Sequence, residues 1–173
     1  MSAWNVQHCP ACGARLVRAE VEGRERARCA SCPFVWYENP APVAGGIVLD
    51  TAGSVLLVRR AFEPHRGSWA LPAGFQEHDE TPREAAAREV LEESGLAVEV
   101  GELFDLVFVP GGRRSVNLAL FLCRPTGGIL RGGHDVLDAA WFRLDALPSD
   151  LAFQNGPLVL ERLRERGYPH GPR

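Results

Sequence analysis

Three glutamates, Glu89, Glu92 and Glu93, fall within about one turn of a segment with helical spacing. Carboxylate oxygens gathered that closely suit a hard divalent cation such as Mg²⁺. The same spacing also suits a solvated acidic face, and Arg88 is placed to pair with Glu92. On these residues alone both readings stay open. Upstream, Gly67-Ser-Trp-Ala-Leu-Pro-Ala-Gly74 reads as a strand running into a glycine loop, followed by Phe75-Gln-Glu77-His-Asp-Glu80. A glycine there lets backbone approach a metal or a phosphate closely. Glu77 and Glu80 add carboxylates at the mouth of the same site.

A second group of candidate ligands is Cys9-x₂-Cys12-x₁₆-Cys29-x₂-Cys32. Two Cys-x₂-Cys pairs at this separation have the spacing of a four-cysteine Zn²⁺ site, each pair on a tight knuckle. Four-sulfur coordination is closed, so the metal is expected to be structural. The segment has too few apolar residues for a core of its own, and zinc is expected to hold it together. Between the knuckles, Arg15, Arg18, Arg24, Arg26 and Arg28 stand against Glu20, Glu22 and Glu25, a mild basic excess. That pattern reads as a solvated hairpin face ahead of a nucleic-acid contact. Cys123, alone in an apolar stretch, reads as an inert core thiol.

The elements that must position these groups follow from local signals. Thr81-Pro-Arg-Glu84 is a helix start, with Thr81 as cap, Pro82 in the first turn and Glu84 completing a capping box. Gly95 is placed to end that helix in a left-handed cap. Within it, Ala87, Val90 and Leu91 are expected to pack on a sheet, with the three glutamates on the other side. Val43 to Leu49 and Val55 to Arg60 read as strands joined by Asp50-Thr-Ala-Gly53. Val98 to Val109 and Ser115 to Cys123 read as two more, turning at Pro110-Gly-Gly112, and Asp138 to Leu144 as another. Pro157 to Arg166, with apolar Leu158, Val159 and Leu163, reads as an amphipathic last helix. Pro40 and Pro42 mark a boundary, giving a ribbon over 1–38 and a larger domain over 39–173. The expected class is α/β, a mixed sheet with helices behind a small N-terminal module.

Gly74, five residues, Glu80, seven residues, then Arg88-Glu-Val-Leu-Glu-Glu-Ser-Gly-Leu96 matches the Nudix box at every fixed position. The chain thus resembles Nudix hydrolases, which implies an α/β/α sandwich that hydrolyses a nucleoside diphosphate linked to another group, X. The resemblance implies that Mg²⁺ or Mn²⁺ is held by Glu89, Glu92, Glu93 and the carbonyl of Ala73, with Arg88 holding the glutamates in place. It leaves the general base between Glu93 and Asp135, the latter in His134-Asp-Val-Leu-Asp-Ala-Ala-Trp-Phe142. Homodimers are common in the family, and a homodimer stays open here.

Among Nudix proteins with a zinc ribbon, the NADH pyrophosphatase type carries Ser-Gln-Pro-Trp-Pro-Phe after the box, which Ala97-Val-Glu-Val-Gly-Glu-Leu-Phe104 lacks. Tyr37-x-Asn39-Pro40, Leu71-Pro-Ala-Gly74 and Leu151-Ala-Phe153 are instead similar to a shorter type acting on FAD and ADP-ribose. That likeness implies release of AMP from ADP-ribose or FAD. Arg59 or Arg60 would reach a phosphate, and Trp69 or Phe62 would stack on a base or flavin. Hydrolysis of NADH or of damaged nucleoside triphosphates is the alternative within enzymes. A nucleic-acid or protein-binding module with an idle Nudix fold is the alternative outside them.

The bulk numbers are those of an ordinary globular protein. The 173 residues hold one full core plus a satellite module, with 46% hydrophobic and 24% charged residues. A net charge of −3 gives no whole-chain reason to expect nucleic acid. No run of about 18 apolar residues suggests a membrane span. The N-terminus lacks the pattern of a secretory signal. A reducing, cytoplasmic location is the expectation, in which cysteines serve metals more often than disulfides.

Overall fold

The computed structural model describes residues 6–111, 114–133, 135–153 and 155–168. Gly112, His134 and the five residues read for a signal pattern lie outside them. The described chain divides into two compact units. One runs to Ala41 and takes in the segment between Pro110 and Ser115; the other holds Pro42–Val109 and the residues from Val116 onward.

In the smaller unit, β1 (Leu16–Val21), β2 (Arg24–Cys29) and β3 (Val35–Trp36) form an antiparallel sheet in that order. Glu22 and Gly23 join β1 to β2 with φ of 53° and 71°, two left-handed residues that suit the twist of a tight hairpin. Leu16, Ala27, Phe34 and Trp36 pack around Cys9 and Cys29, a core of very few side chains.

Apart from the first residue of β4, Ala41, the larger unit contains β4 (Ala41–Val48), β5 (Ser54–Arg60), β6 (Trp69–Ala70), β7 (Ala73–Phe75), α1 (Pro82–Ser94), β8 (Leu96–Val109), β9 (Val116–Gly128), β10 (Val136–Arg143) and α2 (Asn155–Glu165). One sheet has the order β7-β4-β9-β8 and the other β10-β5-β6. Ala41 N–H donates to Ser115 O and Leu49 N–H to Cys123 O, so partners advance together and β4 runs parallel to β9. The pairs β4–β7, β8–β9, β5–β6 and β5–β10 are antiparallel, which makes the larger fold mixed.

Strand alternation sends neighbouring side chains to opposite faces. Ala44, Val48, Leu56, Phe121 and Cys123 pack under α1. Ile47, Val55, Leu57 and Leu120 pack with Val159, Leu160 and Leu163 of α2. The sheets therefore lie between two helices, the expected α/β/α sandwich. No helix among the described residues is long and apolar enough to cross a membrane.

Helix α1 carries the expected caps. Thr81 Oγ1 accepts from Glu84 N, Glu84 Oε2 accepts from Thr81 N at 2.8 Å, and Gly95 closes the helix at φ 72°. Its inward face differs from the expected one. Ala85, Ala86, Val90 and Ser94 are fully buried, whereas Leu91 is 50% exposed. At about 100° per residue, the arc from Ala85 to Ser94 includes the directions of Glu89 and Glu93. Two of the three glutamates thus share the buried side of the helix, and Leu91 lies beyond it. In α2, likewise, Leu160 is buried where Leu158 is 53% exposed.

Candidate active site

Docking of α1 on the sheet requires small residues beneath it. A Cβ on Gly46 of β4 would sit 2.6 Å from Val90 Cγ2. One on Gly74 of β7 would meet both Glu89 carboxylate oxygens at 2.2 and 2.4 Å. The glycine of the loop thus leaves the space that the Glu89 carboxylate occupies. Ala73, its neighbour, donates its backbone N–H to Glu93 Oε2 at 3.0 Å. Strand β7 therefore holds two of the three glutamates in place, one by space and one by a hydrogen bond.

Arg88 gathers the rest. Its guanidinium donates to both Glu80 oxygens at 3.0 and 2.6 Å, to Glu89 Oε1 at 2.7 Å, to Glu92 Oε2 at 3.0 Å and to the Phe75 carbonyl at 3.0 Å. The Arg88 pairing holds the Glu80 carboxyl down to about 2, helped by the N–H of Glu77. Glu89, 13% exposed at its side chain, is pushed up by burial against the opposing pull of Arg88. Burial, then the negative charge of Glu89, push the Glu93 carboxyl up to about 8. Glu92 is the outlying member at 58% exposure. An all-oxygen donor set of this kind fits a hard divalent cation, with Glu89 and Glu93 inward and Glu92 at the rim.

Glu93 opens onto a cavity of about 130 Å³ lined also by Arg60, Phe62, Leu71, Ala73 and Asp135. Asp135 is brought there by backbone. Arg131 N donates to Ser94 O and Gly133 N to Glu93 O, laying the segment along the end of α1. A Cβ on Gly133 would lie 1.8 Å from Glu92 O, so only glycine allows that approach.

The predicted substrate contacts separate into two groups. Arg60 and Phe62 line the cavity, and Phe62 is 61% exposed. Arg60 lies 4.9 Å from the Phe153 ring centroid and donates to Pro64 O. Arg59 instead donates to Gly67 O at 2.7 Å. Trp69 packs in the cluster beneath α2, edge-on to Phe142 at 4.8 Å. Sequence places Glu80 at the mouth of the site and Phe153 in a matching stretch without showing that Glu80 clamps Arg88 or that Phe153 lies beneath Arg60, and it does not single out Gly133. The Gly132-Gly133 pair just before Asp135 was the available signal for the last of these.

In the smaller unit the four cysteines converge, with all four Sγ atoms within 4.8 Å of one another. Cys9–Cys32, Cys12–Cys29 and Cys12–Cys32 are 3.6, 3.5 and 3.6 Å apart. A tetrahedron with Zn–S bonds of about 2.3 Å has edges of about 3.8 Å, whereas a disulfide needs about 2.05 Å. The knuckle at Cys9 closes by Gly13 N–H to Cys9 O at 2.8 Å. Ser31 N–H donates to Cys29 Sγ at 3.3 Å, the kind of backbone hydrogen bond that supports a thiolate.

A family model described as the NUDIX domain matches residues 39–162. The ADP-ribose pyrophosphatase of Methanocaldococcus jannaschii is 35% identical over 130 residues, covering 74% of this chain and 76% of that protein. The human 8-oxo-dGDP phosphatase NUDT18 is 38% identical over 143 residues, 75% of this chain but 43% of its own length. A crystal structure of a NUDIX hydrolase from Nitrosomonas europaea superposes with a TM-score of 0.83 at 32% identity, covering 96% of this chain and 97% of that one.

Proposed function

The chain belongs to the Nudix family and is a Nudix hydrolase, and from that premise we propose that it cleaves the diphosphate linkage of ADP-ribose or FAD, releasing AMP. The observation that carries this reading is the inward Glu93 carboxylate, fixed on Ala73 N–H at a cavity that also holds Arg60, Phe62 and Asp135. The similarity to an ADP-ribose pyrophosphatase over three quarters of both chains supports the substrate class.

Glu89, Glu92, Glu93 and the Ala73 carbonyl are the residues that would hold Mg²⁺ or Mn²⁺. Such ions offset charge on diphosphate oxygens and make a bound water more acidic. Arg88 keeps Glu89 and Glu92 from swinging into solvent, and Glu80 keeps Arg88 aimed. Glu93 is the first candidate to accept the proton of the attacking water, and Asp135, on the same cavity, is the second. Arg60 would meet a phosphate and Phe62 would stack on the base or flavin. Arg59 and Trp69 are already engaged elsewhere and rank behind them. In the ribbon, Cys9, Cys12, Cys29 and Cys32 would hold one structural Zn²⁺.

A second reading is removal of damaged nucleotides, favoured by the similarity to a protein named as an 8-oxo-dGDP phosphatase. Assaying ADP-ribose, FAD, NADH and oxidised dGTP with Mg²⁺ separates the two by which kcat/KM leads. ADP-ribose or FAD is expected to lead, with AMP as product. Leadership by the oxidised nucleotide would replace the proposal, and no turnover of any of the four would point to an idle fold.

A further inference from the structure

Counted along the sequence, the arginines and glutamates of the ribbon nearly balance. Strand register separates them by sign. The β1–β2 pairs place Val17 opposite Arg28, Ala19 opposite Arg26 and Val21 opposite Arg24, so these six side chains share one face. Strand β3 adds Val35 beside Arg28. The opposite face carries Leu16, Ala27 and Trp36 over the cysteine core, together with Arg18, Glu20 and Glu25. Every strand carboxylate of the hairpin is on that side.

The arginine face has further organisation. The Arg26 guanidinium lies 4.7 Å from the Tyr37 ring centroid and is tied down by the Val21 carbonyl and by Glu22 in the turn. Tyr37 is 47% exposed and Val17 45% exposed. Arg24 and Arg28 are exposed and have no carboxylate partner among the described residues. Alternate positions on a strand repeat every 6.5 to 7 Å or so. That step is comparable to the distance between successive phosphates of an extended nucleic-acid strand. A row of guanidinium groups beside an exposed aromatic ring is the combination that holds single strands, charge on the backbone and stacking on a base.

We propose that this face of the ribbon binds single-stranded nucleic acid, with Arg24 and Arg28 on phosphates and Tyr37 stacked on an unpaired base. The residues involved all belong to the smaller unit, and the proposal does not depend on which diphosphate the glutamate helix processes.

The test uses the full zinc-loaded chain and a short fluorescein-labelled single-stranded RNA, with anisotropy followed across a salt series. Two phosphate contacts give a log–log salt slope of about −1.4, since each contributes about 0.7 on single strands. Arg24→Gln and Arg28→Gln should each flatten the slope by about 0.7. Tyr37→Ala should weaken binding at every salt concentration and leave the slope unchanged. Arg18→Gln, on the opposite face, should change neither, and thermal melts of all four variants check that they fold. A parent slope near zero, or equal losses from Arg18→Gln and Arg28→Gln, would overturn the proposal. Polyglutamate competing as well as RNA would also overturn it, by showing that the face takes acidic peptide.

Discussion

Glu89 and Glu93 point into the protein, and keeping two carboxylates there costs the fold energy that a surface acid does not. The surrounding residues show how they are held: Arg88 neutralises part of Glu89, and Ala73 N–H satisfies one oxygen of Glu93. If Glu93 takes the proton of the attacking water, Glu93→Gln should lower kcat/KM by about 10²–10⁴-fold while leaving the melting temperature at or above the parent's. Asp135→Asn, measured in parallel, should fall far less; the reverse order would move the base to Asp135. Gly74→Ala tests the space that the loop leaves. Its Cβ displaces the Glu89 carboxylate, and turnover should fall by about 10–100-fold with little change in Tm. Glu80 is a matter of pH. Its carboxyl lies at about 2 in the folded chain against an ordinary 4.5, because Arg88 bonds it. A carboxyl held down stabilises the fold in full above about pH 4.5, and that contribution disappears as pH falls through about 2. Glu80→Gln should therefore melt below the parent at neutral pH, with the gap closing stepwise in acid.

At the level of elements, the larger sheets and both helices were legible in sequence. Thr81, Pro82, Glu84 and Gly95 bound α1 as capping chemistry requires, and β4, β5, β8 and β10 lie close to their expected limits, whereas β9 runs past the expected Cys123 to Gly128 because β8 continues to pair with it there. The strand read over Gly67–Gly74 is present as two short pieces, β6 and β7, interrupted at Leu71-Pro72 and held by hydrogen bonds from β5 and β4. On the inward face of α1, Val90 is buried as expected and Leu91 is not, because the sheet below offers glycine and takes Ala85, Ala86 and the inward carboxylates in its place. Gly46 fixes how closely helix and sheet approach. Gly46→Val should push α1 away, lowering both Tm and activity, whereas Leu57→Ala, on the α2 side, should cost about 2–5 kcal/mol in denaturant melts with activity kept below the transition.

For the molecule as a whole, the two units rest on different kinds of cohesion. The larger buries aliphatic side chains on both faces of its sheets; the smaller has four cysteines among a handful of apolar groups. If the four cysteines hold Zn²⁺ as proposed, a strong chelator should expose Cys9, Cys12, Cys29 and Cys32 to a thiol reagent under native conditions. Cys123, 6% exposed and with its thiol pushed by burial up to about 12, should react only after the larger unit unfolds. Immediate reaction of all five thiols, or none after chelation, would contradict that division. The parallel pairing of β4 with β9 carries a consequence of another sort. Strand β4 must wait for a partner roughly 70 residues downstream, so the central sheet closes through a long-range contact of the kind that slows folding. During synthesis the ribbon's short hairpin can close while β4 is still without its neighbour. Until β9 leaves the ribosome, β4 presents an apolar, unpaired edge, and that interval is when the chain is most open to aggregation.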